Sequence, residues 1–154
     1  MRDVSRLIIS IALPLVAGSV GSYFTISSID SWYQTVNKPI FNPPDWVFGL
    51  AWTILYILMG ISFYLIWASK KKNKKSAIKF FLIQLVLNAS WSIIFFGLHN
   101  PLLAFINIIA LWIAIYMTIR AFAPISKTAS YLLYPYLAWV SFASILNLSI
   151  ILLN

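Results

Sequence analysis

The sequence predicts an all-α integral membrane protein, a bundle of five transmembrane helices. Three observations carry that expectation. Hydrophobic residues make up 62% of the 154, charged residues only 9%, and mean hydropathy is +0.90. So few charges cannot cover the surface of a soluble domain of this size. Five stretches, near residues 7–27, 46–68, 78–98, 101–121 and 129–153, each reach the roughly 20 apolar residues that cross a bilayer and leave little chain between them. Runs of that length exceed barrel strands, and lipid offers backbone groups no partners, so the spans are expected to be helices. A single five-helix membrane domain over 1–154 follows, with one long loop at 29–45.

The first span resembles a signal peptide only superficially. Its apolar part is long and no small-residue cleavage site follows, so it is expected to stay as a helix. It carries Pro14, Gly18, Gly21, Ser22 and Thr25 on one face, a surface another helix can approach closely, either within the bundle or across a dimer. The loop that follows holds Trp32, Tyr33, Lys38, Phe41 and three prolines, Pro39, Pro43 and Pro44. Prolines fix φ and extend their neighbours, so this loop is expected to be a stiff lid over one mouth of the bundle. Pro44 suits the first turn of the second span, and Asp45 suits its positive N-terminal end. Between the third and fourth spans, "HNP" reads as a tight turn, with Asn100 as N-cap and Pro101 in the first helical turn. "APISK" does similar work before the fifth span.

The net charge of +8 resolves once the charges are placed. Arg2 and Arg6 precede the first span, "KKKNKK" and Lys79 join the second to the third, and Arg120 and Lys127 flank the last link. Only Lys38 lies at the other end. The positive-inside rule then puts the N-terminus in the cytoplasm, with loop 29–45 and the C-terminus outside. The lysine run is expected to set topology and touch anionic head groups of the lipid bilayer, not nucleic acid. With no cysteine, disulfides and thiolate chemistry are excluded.

In lipid, apolarity does not locate the core, so polar and small residues must. Gln84, Asn88, Trp91 and Phe95 share one face of the third span. Trp52, Tyr56, Met59 and Phe63 share one of the second, and Trp139, Ala143, Leu146 and Ile150 one of the fifth, with Phe142 and Asn147 beside it. If these faces meet, they enclose an aromatic cavity with a few convergent polar groups, suited to a flat apolar ligand. Trp46 and Trp67, at the ends of the second span, read as interfacial anchors, and Trp112 as packing. Asn107 and Asn147 are candidates for hydrogen bonds between helices.

The stretches "WYQTVNKPIFNPPDWVFGLAWTILYILMG", "QLVLNASWSIIFF" and "LLYPYLAWVSFASILN" closely resemble the tryptophan-rich sensory protein, or translocator protein, family, also called the peripheral benzodiazepine receptor family. The likeness spans nearly the whole chain. It implies a five-helix bundle, often a homodimer, that binds porphyrins and isoquinoline- or benzodiazepine-type ligands in a pocket open toward the first loop and lined by the first, second, third and fifth spans. The matching pocket positions are Tyr33, Pro43, Pro44, Trp46, Phe48 and Trp52, then Asn88, Trp91 and Ser92, then Trp139, Phe142, Ala143, Leu146 and Asn147. The Trp52 N–H and the Asn88 amide are the expected polar anchors. The animal members' cholesterol motif is absent: Leu148 stands at its tyrosine position and no basic residue follows, which makes cholesterol recognition doubtful. The lack of cysteine and the compact tail look bacterial, so the expected location is a bacterial cell membrane.

Hydrolytic and acid–base catalysis lack the residues. Asp3, Asp30 and Asp45 lie at span ends and His99 in a turn, so no catalytic constellation or metal site is expected, and no cofactor is required. The resemblance leaves two alternatives to simple binding. One is light-dependent porphyrin breakdown, with Trp32 and Trp139 as candidate participants. The other is a small transporter, against which stands the lack of a buried ionisable residue to couple to protons.

Overall fold

The computed structural model describes residues 2–154; the side chain of Arg2, one of the charges counted above, lies outside the described residues. Its elements are α1 (Arg2–Ile29), α2 (Trp32–Thr35), α3 (Asp45–Ala68), α4 (Lys75–Ser92), a π-helical turn (Ile93–Gly97), α5 (Pro101–Phe122), α6 (Lys127–Tyr131) and α7 (Tyr134–Leu153), with no strand among the described residues. Five helical stretches are long and apolar enough to span a membrane. The fold is the all-α five-helix bundle that the sequence predicts.

Several local expectations hold. Asn100 Oδ1 accepts from the Leu103 N–H at 3.0 Å, with Pro101 in the first turn of α5. Ser126 caps α6 by accepting from the Ala129 N–H at 3.2 Å. Asp45 occupies the first turn of α3. Others are corrected. α1 starts at Arg2, so Arg6 lies inside the helix and faces Asp3 at 3.9 Å. Pro44 is not in the first turn of α3 but at its N-cap, with φ −56° and ψ 147°. The loop is not extended throughout, because α2 forms one helical turn within it. The fifth span is broken between α6 and α7: Pro135 has no N–H to donate to the preceding turn, and Leu133 N–H bonds instead to Ser130 O at 3.2 Å. The end of the third span widens into a π-turn, closed by Leu98 N–H to Ile93 O at 2.9 Å.

Around the bundle the order is α3, α1, α4, α5, α7, with α6 against α3. Small side chains set the closest approach. A Cβ added to Gly60 would lie 2.7 Å from Ile11 Cα, and one on Gly18 would lie 2.3 Å from the Tyr56 ring, so glycine lets α1 and α3 touch. At the centre, one chain of hydrogen bonds joins three helices. Tyr56 O–H donates to Asn88 Oδ1 at 2.8 Å, Asn88 Nδ2 donates to Tyr136 O–H at 2.9 Å, and Tyr136 O–H donates to Gln84 Oε1 at 2.8 Å. Gln84 and Asn88 do mark the inward face of α4, where both are buried. Asn107 Nδ2 reaches Leu87 O at 2.9 Å and Trp112 Nε1 reaches Ser141 Oγ at 2.8 Å, tying α5 to α4 and α7.

At the lysine-rich end, Lys74 Nζ donates to the carbonyls of Trp67 and Ser69 and Lys71 Nζ to that of Pro124. Part of the run therefore satisfies helix-end carbonyls as well as carrying charge.

Candidate functional site: an aromatic cavity beneath the loop

The half of the bundle nearest the loop holds a partly enclosed cavity of about 390 Å³, within the range typical of small-molecule sites. Nine sequence-predicted positions line it: Tyr33, Phe48, Trp52, Trp91, Ser92, Trp139, Ala143, Leu146 and Asn147. The aromatic rings of its wall contact one another in two groups. Trp52 meets Trp139 edge-on at 6.5 Å between ring centres and stacks on Tyr56 at 5.5 Å. Trp139 meets Phe48 at 6.0 Å, and Trp91 stacks on Phe95 at 5.1 Å.

The other predicted positions fall elsewhere. Asn88 lies behind the wall with its amide bonded to Tyr56 and Tyr136, so it holds helices together and is not among the residues that line the cavity. Phe142 backs Trp139 at 5.6 Å. Pro43 and Pro44 shape the loop without lining the cavity, and Trp46 points outward at 68% exposure, as an interfacial residue does. Trp32 stacks on His99 at 4.5 Å and meets Phe95 edge-on at 5.5 Å, one layer outside the cavity.

Polar residues in the wall include Asp45, Ser22, Thr25, Thr53, Ser92 and Asn147. Trp91 Nε1 donates to Asn147 Oδ1 at 3.1 Å, and Asn147 Nδ2 donates to Pro101 O at 2.9 Å. Trp139 Nε1 is buried without a hydrogen-bond partner. An orphaned donor is uncommon in a folded protein; here it belongs to a residue whose ring lines the cavity, while the N–H itself is buried within the wall. The remaining lining includes α1, through Gly18, Ser22, Thr25 and Ile29, and the π-turn, through Phe95 and Phe96.

Sequence comparison places this arrangement among known proteins. Residues 10–153 match the TspO/MBR family. The chain belongs to that family. The tryptophan-rich protein TspO of Archaeoglobus fulgidus is 49% identical over 99% of both chains. The tryptophan-rich sensory protein of Cereibacter sphaeroides is 36% identical over 81% of this chain and 78% of its own. The human translocator protein is 36% identical over 87% and 81%. This TspO/MBR chain is thus an integral membrane protein of the sensory and translocator type.

Two parts of the TspO/MBR cavity were hard to see in the sequence. The small residues of α1 read as a packing face, and they serve both purposes: Gly18 meets Tyr56 and also lines the cavity. The π-turn has no sequence signature, yet it aims consecutive residues, Phe95 and Phe96, toward Tyr33 at 6.3 and 5.5 Å between ring centres. Such turns recur at functional sites.

Tyr33 is the pin of the lid. It is buried, its O–H donates to Asn42 Oδ1 at 2.9 Å, and Lys38 Nζ sits 4.6 Å from its ring centre. Burial, and after it the Asp45 carboxylate, push its hydroxyl up to about 12, against a smaller downward pull from Asn42. The folded lid therefore favours the neutral phenol. Its contribution is complete below the ordinary tyrosine value of 10.0 and is lost as pH rises through about 12. Hydrogen exchange across residues 30–45 is expected to accelerate in that alkaline window, and Tyr33→Phe is expected to abolish the transition.

Proposed function

We propose that this protein is a membrane receptor that binds porphyrins and related flat polycyclic ligands, including isoquinoline- and benzodiazepine-type compounds, in the cavity beneath the loop. Its role would lie in tetrapyrrole handling or stress sensing. The observation that carries the reading is the wall itself: Trp52, Trp139, Trp91 and Phe48 surround an empty space of ligand size. Flat π-systems stack on such walls, and the Trp52 indole N–H suits a ligand carbonyl or carboxylate. The same reading sets the chain in a bacterial cell membrane with its N-terminus cytoplasmic, as a homodimer.

Titration with protoporphyrin, followed by tryptophan fluorescence, tests it. Saturable quenching is expected. Trp139→Ala and Trp52→Ala should each weaken binding by about thirtyfold, the roughly 2 kcal/mol of a buried aromatic anchor, and Trp46→Ala should not. Quenching that never saturates, or equal losses at all three positions, would sink the proposal.

One feature favours a second reading, light-dependent porphyrin breakdown. Trp139, Trp52 and Tyr56 form a run of ring contacts along the cavity wall, along which an electron given to an excited porphyrin could be replaced. Trp32 stands outside this run. Under illumination in air, faster loss of porphyrin absorbance than in detergent alone, abolished by Trp139→Phe, would support it; equal rates would end it.

A further inference from the structure

The cavity wall has a gap on one side, between α1 and α3. In the half of the bundle toward the lysine loop these helices touch, at Gly60 with Ile11 and at Gly18 with Tyr56. Beyond Gly18, α1 leaves α3 and leans on α4 and the π-turn. A Cβ on Gly21 would lie 3.0 Å from Ser92 Oγ, one on Gly97 would lie 2.8 Å from the Phe24 ring, and Ser28 Oγ donates to Phe96 O at 2.7 Å. Gly49 shares a face of α3 with Gly60, three turns or about 16 Å away. A Cβ added at Gly49 would meet nothing within 4 Å. The same helix face is thus jammed at one level and open at the other.

Leu15, Ser19, Ser22 and Ile26 of α1, with Asp45, Gly49 and Thr53 of α3, line the cavity and are also exposed. The opening therefore runs along this side of the bundle, from the Asp45 end of α3 inward. Around it the surface is apolar, with Val16, Val20, Leu50 and Ile54 exposed. The rim is less polar than its sequence suggests: Ser19 Oγ donates to Leu15 O and Thr53 Oγ1 to Gly49 O, both at 2.8 Å. Ser22 lies about 10 Å from the end of α1, and Gly49 and Thr53 about 6 and 12 Å from the start of α3. A 24-residue helix of about 36 Å overhangs a hydrocarbon layer of about 30 Å by only a few ångströms per side. The gap therefore faces hydrocarbon. Above it the lid is fastened: besides Tyr33, Asn37 N–H donates to Asn154 Oδ1 at 2.9 Å and Asn154 Nδ2 to Asn37 O at 3.0 Å.

We propose that ligands pass between the cavity and the bilayer sideways, through the gap framed by Ser22 and Ile26 on α1 and Gly49 and Thr53 on α3, and not past the loop. The site accordingly takes flat lipophilic molecules already dissolved in the membrane, which enter edge-on. This rests on the reading of the cavity as a binding site, so its test has one arm free of any such ligand.

The chain has no cysteine, so Ala143→Cys places a single thiol on the far wall of the cavity. In proteoliposomes a lipid-soluble maleimide is expected to modify it at least tenfold faster than a membrane-impermeant one. Adding Gly49→Phe, a plug with room for its ring, is expected to slow the lipid-soluble reagent at least tenfold. Thr53→Trp is the alternative plug should Gly49→Phe fold poorly. In the second arm, protoporphyrin in nanodiscs should both associate with and leave the Gly49→Phe protein at least tenfold more slowly. An impermeant reagent as fast as the lipid-soluble one, or modification rates indifferent to both plugs, overturns the proposal. A gap covered by a second copy overturns it too, and would show as slow modification by both reagents that quickens when the protein is diluted to monomer. If the unmodified protein does not quench with protoporphyrin, the binding reading fails and the thiol rates alone decide the gap.

Discussion

Gly60→Leu is expected to destabilise the fold by about 3 kcal/mol, while Gly49→Leu, three turns away on the same face of the same helix, leaves stability unchanged or slightly raised. At Gly60 the first added carbon would sit 2.7 Å from Ile11 Cα and 3.0 Å from Ser10 O. Both are backbone atoms, which no side-chain rotation removes. The helices must move apart, and overpacking of this kind costs about 1–3 kcal/mol or more. Separation also loosens Tyr56 from Gly18 and strains the hydrogen bond from Tyr56 to Asn88. At Gly49 the added side chain meets open space, and replacing a helical glycine relieves an entropic cost of roughly 0.5–1 kcal/mol. Thermal denaturation of both variants in one detergent checks the contrast. Equal midpoints would mean that α1 and α3 are not in contact at Gly60.

Asn88→Leu is expected to lower the thermal midpoint by roughly 4–8 °C, about 2 kcal/mol for a chain of this size, and to change porphyrin affinity less than threefold. The amide serves two phenols, accepting from Tyr56 and donating to Tyr136. Removing it leaves two hydroxyls inside the bundle short of a partner, at about 1–3 kcal/mol for a buried unsatisfied group, tempered by the roughly 0.6–1.7 kcal/mol measured for hydrogen bonds between membrane helices. A ligand anchor would behave in the opposite way, with affinity falling tenfold or more and the midpoint untouched. That outcome would restore Asn88 to the cavity, where the family resemblance places it.

Legibility of the site divides along a physical line. Trp52, Trp91 and Trp139 were legible as cavity-lining because each shares a face of its span with further aromatic, amide or small residues at helical spacing. Asn88 was recognised as inward-facing, since an amide has no partner in lipid, but facing inward does not place it in the cavity lining. The difference lies in whether Tyr56 and Tyr136 arrive at its two ends, which depends on how α3 and α7 are rotated about their own axes. Ser22, Thr25 and Gly49 were missed as cavity-lining residues for a related reason: small residues read alike whether they admit a neighbouring helix or leave a space.

By itself the sequence determined that this chain crosses a membrane five times, which end carries the basic loops, and where Asn100 and Ser126 begin their helices. Those features depend on length, charge and local hydrogen bonding. Only the tertiary structure decided that α1 crosses from α3 to α4, that Pro135 splits the last span, that a π-turn carries Phe95 and Phe96 to the cavity, and that the wall parts at Gly49. A helix in lipid is apolar on its packed and its exposed faces alike, so periodicity cannot say which neighbour it meets. Contacts between backbones, set by where the glycines fall on both partners together, make that choice.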